Sequence, residues 1–176
     1  GPTGNYLPDF CSGYFSDTPS EWGDALNYDD RAVRDYIAGN AEYWIREYHF
    51  DGLRLDATQS IIDHSERHII ADITDAARAA GRARNRSIYI CAENEPQEVR
   101  LVKPSSEGGY GCDALWNDDF HHTAVVAGTG RREAYYSDHR GAPQELISAA
   151  KYGYLFQGQR YAWQNQRRGS RTDALP

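Results

Sequence analysis

The 176-residue chain contains no methionine and only three cysteines. Cys11, Cys91 and Cys112 are scattered, odd in number and without CxxC spacing. That pattern excludes a disulfide framework and a cysteine-built zinc site, and it points to a reducing compartment, the cytoplasm. No apolar run approaches the roughly 18 residues that a membrane span needs, and no signal peptide is present, so a soluble protein is expected. Basic residues are also in short supply, 19 Lys and Arg against 26 Asp and Glu. The resulting net charge of -7 argues against general affinity for nucleic acid or anionic membranes, and suits a neutral partner. The missing methionine, with ends "GPTGNYLPDF" and "RTDALP" that carry no terminal element, makes both ends read as cut.

What is present is an alternation of helix and strand signals, the mark of a βα architecture. Asp29 or Asp30 caps a predicted helix whose apolar positions are Val33, Ile37, Ala41, Trp44 and Tyr48. A strand follows at 53–56. Asp63 or Ser65 opens a second helix bearing Ile69, Ile73, Ala76 and Ala80, with Gly81 as its C′ residue. Ile88–Ala92 reads as a second buried strand, "GCDALWND" as a third, and "PQELISAAKYG" as a later helix with Pro143 in its first turn. No solenoid repeat and no domain linker interrupts this order, so one domain is expected.

The stretch "YHFDGLRLDAT" carries the chemistry. Buried parallel strands are apolar throughout, and Leu53 and Leu55 obey that rule while Arg54 and Asp56 break it. Side chains alternate along a strand, so the cation and the anion share one face. They are either a structural ion pair or a nucleophile with the guanidinium that keeps it ionised. A second carboxylate decides between the two. Glu93 ends the next strand, 37 residues on, a separation that holds one loop–helix–loop unit and so makes the strands neighbours. In a (β/α)₈ barrel the catalytic groups stand at such strand ends. Strands about 4.8 Å apart would bring the carboxylates to about 5 to 5.5 Å, the spacing of a retaining glycosidase. Asp56 is then the nucleophile and Arg54 its partner, and the charge on Asp56 favours a protonated Glu93 as general acid.

These segments resemble signature sequences of the α-amylase family of glycoside hydrolases, "DGLRLDA" the second and "AENE" the third. Together with "EWGDALNYD", "DGLRLDATQSIIDHSERHI", "GGYGCDALWNDDFHH" and "AAKYGYLFQGQRYAWQ", they resemble the maltooligosyltrehalose trehalohydrolases within it, over nearly the whole chain. The resemblance implies an α/β fold, part of a TIM (β/α)₈ barrel comprising roughly strands 4 to 6. Residues 1–176 would be a fragment of its catalytic domain, with no second domain and inactive when isolated. It implies hydrolysis, with retention, of the α-1,4 bond next to the terminal trehalose of a maltooligosyl trehalose. No cofactor is implied, and a maltooligosyltrehalose synthase would act in the same pathway without a stable complex. Asp56, Arg54 and Glu93 take the nucleophile, partner and acid/base positions. Two further signatures, one ending Asn-His and one with a His-Asp pair, are not in the sequence and are expected before Gly1 and after Pro176.

Trp116, Asn117, Asp118, Asp119, His121 and His122 follow the third strand, and an indole beside polar groups suits a sugar, although each residue alone also fits packing or capping. His64 and His68 read as a solvated helix face, so no metal site is assigned. "GTGRRE" reads as a loop, and "QRYAWQNQRRGSR" as an exposed loop rather than a single-strand binder. A glycogen branching enzyme shares a "YHIDGLRVDA" type of segment, but "AEES" and "WNMGWMHD" would be expected where "AENEPQ" and "WNDDFHH" stand. A non-catalytic sugar-binding relative would have lost Asp56 or Glu93, and both are present.

Overall fold

The computed structural model describes residues 6–20 and 23–171. A short helix α1 (Leu7–Phe10) leads to an antiparallel pair, β1 (Phe15–Ser20) and β2 (Gly23–Leu26). Helix α2 (Arg31–Arg46), strand β3 (Gly52–Leu55), helix α3 (Ile69–Ala83), strand β4 (Tyr89–Ala92) and strand β5 (Ala114–Leu115) form the α/β centre. Helices α4 (Asp118–Thr129) and α5 (Pro143–Tyr152) follow, then a small antiparallel pair, β6 (Arg160–Tyr161) and β7 (Gln166–Arg167).

Strands β3, β4 and β5 make one parallel sheet in that order. Leu53 pairs with Ile90, Arg54 with Cys91 and Leu55 with Ala92. One face of each strand, Leu53 and Leu55 on β3 and Ile90 and Ala92 on β4, packs into the core with Ile45, Ile69, Ile70, Ile73 and Ala77. Arg54 therefore turns to the opposite face, as alternation requires. Ile90 and Ala92 are fully buried, so the apolar run that marked this strand reflects cover on its packed side.

Asp30 caps α2, its carboxylate accepting from the Ala32 N–H at 2.8 Å. The buried line of this helix is Val33, Ala41 and Ile45, not the line through Trp44 and Tyr48. Those two rings lie half exposed and pack on each other at 4.8 Å, with Trp44 stacked on Phe50 at 5.6 Å. Position 45 extends the four-residue step from 33 through 37 and 41, and Tyr48 lies beyond the helix end.

Helix α3 starts later than predicted. His68 is its N-cap, and Asp63 and Ser65 belong to the preceding loop, where Asp63 still reaches forward to accept from the Ile69 N–H at 2.6 Å. His64 is exposed in that loop and His68 stacks on Tyr110 at 4.4 Å, so the two histidines do not share a helix face. Gly81 is not a C′ residue. It sits inside α3 where a Cβ would collide with Ile88 and come within 2.9 Å of the Arg86 carbonyl, so the glycine allows the helix to lie close against the chain entering β4. The helix pair α2 and α3 is pinned by Arg34, which bonds Asp72 at 2.6 Å and Asp63 at 3.0 Å. Among the described residues no helix is long and apolar enough to cross a membrane.

Candidate active site

Both carboxylates sit one residue past their strands. The register carries on beyond Leu55 and Ala92, because the Glu93 N–H bonds the Leu55 carbonyl at 2.8 Å and the Trp116 N–H bonds the Ala92 carbonyl at 2.8 Å. Asp56, Glu93 and Trp116 thus stand at the C-terminal ends of three neighbouring parallel strands.

Arg54 serves both acids. Its Nη1 donates to Asp56 Oδ1 at 2.6 Å and its Nη2 forms an ion pair with Glu93 Oε1 at 2.9 Å, while its guanidinium carbon lies 5.2 Å from the centre of the Trp116 ring. The sequence had assigned this cation to Asp56 alone. One guanidinium thus bridges the two carboxylates across adjacent strands. Asp56 is 78 % exposed. Its bond with Arg54 holds its carboxyl below the ordinary range and keeps it anionic. Beyond Asp56 the chain turns sharply at Ala57, whose φ of 43° is left-handed. That conformation costs about 1 kcal/mol in a non-glycine residue. It aims the Ala57 N–H at Glu93 Oε2, 2.8 Å away, while Thr58 bonds the Glu93 carbonyl through its N–H at 2.9 Å and its hydroxyl at 2.6 Å. The acid/base candidate is therefore fixed from three directions.

Asp56 lies between two clefts. One, of about 350 Å³, is polar and lined by Glu93, Glu95, Asp118, His121, His122 and Tyr135, among others. The other, of about 430 Å³, is lined by Leu26, Tyr28, Ile61 and Ile62 among others. Of the predicted contact residues, Asp118, His121 and His122 face the polar cleft, and Trp116 is half exposed beside Arg54. Burial pushes the Asp118 carboxyl up to about 6, with Glu93, Glu95 and Asp119 adding to the effect and Arg168 opposing it. Burial likewise pushes His122 down to about 3 and lowers His121, so both imidazoles are neutral near pH 7.

Asn117 and Asp119 are used otherwise. Asn117 caps α4 by accepting from the Phe120 N–H at 3.2 Å and donates to the Ala149 carbonyl at 3.1 Å. Asp119 is fully buried, accepts from the Leu155 and Phe156 N–H groups at 2.7 and 3.2 Å, lies 3.4 Å from His139 Nε2, and forms an ion pair with Arg168 at 3.1 Å. Arg168 is itself fully buried under Tyr161, 4.7 Å from its ring centre. The segment read as an exposed loop is thus anchored through Arg168 and Tyr161 while Arg160, Trp163 and Arg167 remain at the surface. A lone buried Arg in a basic, aromatic run gives no pattern to distinguish it. Helix α4 was missed for a related reason: its first turn, "DDFHH", is polar and reads as a loop. "GTGRRE" is where α4 ends, Gly130 closing it with φ of 72°.

No family model matches the chain. It is 38% identical over 178 residues to the malto-oligosyltrehalose trehalohydrolase of Deinococcus radiodurans, covering 99% of this chain and 28% of that protein. The protein of the same name from Mycobacterium tuberculosis is 37% identical over 181 residues, covering 100% and 31%. A crystal structure described as a candidate alpha amylase from Salmonella typhimurium superposes with a TM-score of 0.81 at 36% identity, covering 98% of this chain and 30% of that one. A 1,4-alpha-glucan branching enzyme of Myxococcus xanthus is less similar, 28% identical over 126 residues. Paired carboxylates at neighbouring strand ends, with these likenesses, place the chain in the α-amylase family of glycoside hydrolases. Within that family it matches the malto-oligosyltrehalose trehalohydrolases, and it spans about three tenths of the length of the curated relatives it resembles.

Proposed function

We propose that the enzyme of which this chain supplies part of a (β/α)₈ catalytic barrel hydrolyses, with retention, the α-1,4 bond next to the terminal trehalose of a maltooligosyl trehalose. The observation that carries this reading is the single guanidinium of Arg54 held between Asp56 and Glu93 at adjacent strand ends. Asp56, kept anionic, attacks the anomeric carbon. Glu93 gives its proton to the departing glycosidic oxygen, and trehalose leaves with that proton. Glu93, now a carboxylate, takes a proton from water as the water oxygen displaces Asp56 from the sugar. Arg54 is a positioning residue that also offsets the charge that Glu93 acquires.

Trp116, Asp118, His121 and His122 are the proposed sugar contacts, with the two neutral imidazoles able both to donate and to accept hydrogen bonds from hydroxyls. Asn117 and Asp119 act through them by fixing the start of α4. A cytoplasmic enzyme without a cofactor, fed by a maltooligosyltrehalose synthase that it does not bind stably, completes the proposal. The branching-enzyme alternative is separated by product. Incubation of the intact enzyme with maltotriosyl trehalose is expected to release trehalose and maltotriose, with no new α-1,6 linkages from amylose. New branch points without trehalose would move the assignment to the branching enzymes, and binding without turnover to a non-catalytic relative.

A further inference from the structure

We propose that Asp118, His121 and His122 form a binding site for a transition-metal ion, Zn²⁺ or one of similar softness, inside the polar cleft. The three residues fall at i, i+3 and i+4 in the first turns of α4, so their side chains leave the same face of the helix. One donor atom from each lies within 4.8 Å of the others, and His121 Nε2 stands 3.8 Å from Asp118 Oδ1. A tetrahedral ion with bonds of about 2.0–2.1 Å holds its donors about 3.3 Å apart. The ring of His121 is 46 % exposed, which gives it room to close that difference.

A second observation points the same way. His122 is buried, and among the described residues its Nδ1 has no hydrogen-bond partner. A buried ring nitrogen left unsatisfied is uncommon, and a bound ion or an ordered water is what normally meets it. Two nitrogens and one oxygen suit Zn²⁺ or Cu²⁺ better than Ca²⁺ or Mg²⁺, which require oxygen shells. Three protein ligands leave a position for water. Because the same cleft contains Asp56 and Glu93, an ion held there stands in the sugar's path.

The proposal concerns metal affinity and holds whichever sugar the enzyme cleaves. It is tested by titrating ZnCl₂ into the intact enzyme in a calorimeter, with His121→Ala and Asp118→Asn as variants and circular-dichroism melts to confirm that each is folded. The expected result is one saturable Zn²⁺ site in the parent, weakened about tenfold or more in each variant. CoCl₂ is expected to give the visible absorption of a four-coordinate site in the parent and to lose it in both variants. Absence of saturable Zn²⁺ binding, or equal affinity in the parent and both folded variants, would overturn the assignment, and equal affinity for CaCl₂ would overturn the ligand class.

Discussion

Arg54 on one strand and Glu93 at the end of the adjacent parallel strand form an ion pair, with Nη2 2.9 Å from Oε1, made by the same guanidinium whose Nη1 holds Asp56. Only a planar fork can serve two carboxylates at once in this way, and a lysine ammonium is a point charge without that geometry. Arg54→Lys in the intact enzyme is therefore expected to lower kcat by about a hundredfold or more with a much smaller change in KM. Steady-state kinetics on maltotriosyl trehalose checks it. Near-normal turnover would leave Arg54 as a structural filler.

Asp118 carries a stability signature. Its carboxyl is pushed up to about 6 from the ordinary 3.8, first by burial. Below about pH 4 it is protonated in both the folded and the unfolded chain and burial costs nothing. Between about pH 4 and pH 6 the unfolded chain gives up its proton first, so stability falls, and the loss is complete above the folded value. Asp118→Asn is expected to gain about 2 to 3 kcal/mol at pH 7 and little at pH 4. Urea unfolding at the two pH values measures the difference, and an equal effect at both would show that the carboxyl is not perturbed.

Asp119 behaves in the opposite sense. Burial alone would raise its carboxyl, but the hydrogen bond with His139, the charge of Arg168 and the Leu155 and Phe156 N–H groups hold it at about 2. Its stabilisation is present above pH 3.8 and is lost as pH falls through the folded value. Asp119→Ala strips the fully buried Arg168 of its nearest acid. The expected cost is about 3–5 kcal/mol in urea unfolding near pH 7. A cost below about 1 kcal/mol would mean that the network is not what anchors the segment from Leu155 to Arg168.

Residues 1–176 expressed alone are expected to be inactive and to lack a cooperative melt. Among the described residues β3 is paired on one side only and β5 contributes two residues, so sheet edges and the face carrying Arg54 lack the cover that a closed barrel supplies. Trehalose release by this piece, with a sharp thermal transition, would contradict the partial-barrel reading.

The centre of the fold was legible because its signals are local. The "GLRL" and "YICA" strands and the Asp30 cap depend on alternation and on a side chain two residues from its target, and both appeared where expected. The Asp56 and Glu93 pairing was legible through spacing, since a gap of one βαβ unit fixes which strands are neighbours. What failed depended on distant partners. The start of α3 is set by His68, whose capping role a histidine does not advertise, and the interior place of Gly81 is set by Ile88 across the turn. Asp119 looked like a sugar ligand because its partners, His139 and Arg168, lie 20 and 49 residues further on in segments without a motif.

The central claim is a double displacement through Asp56, and the most direct test is proton NMR of the intact enzyme turning over maltotriosyl trehalose. The expected result is that maltotriose first appears as its α-anomer and only later mutarotates, as two inversions at one carbon require. First appearance of the β-anomer would mean a single displacement by water, and Asp56 could not then be the nucleophile.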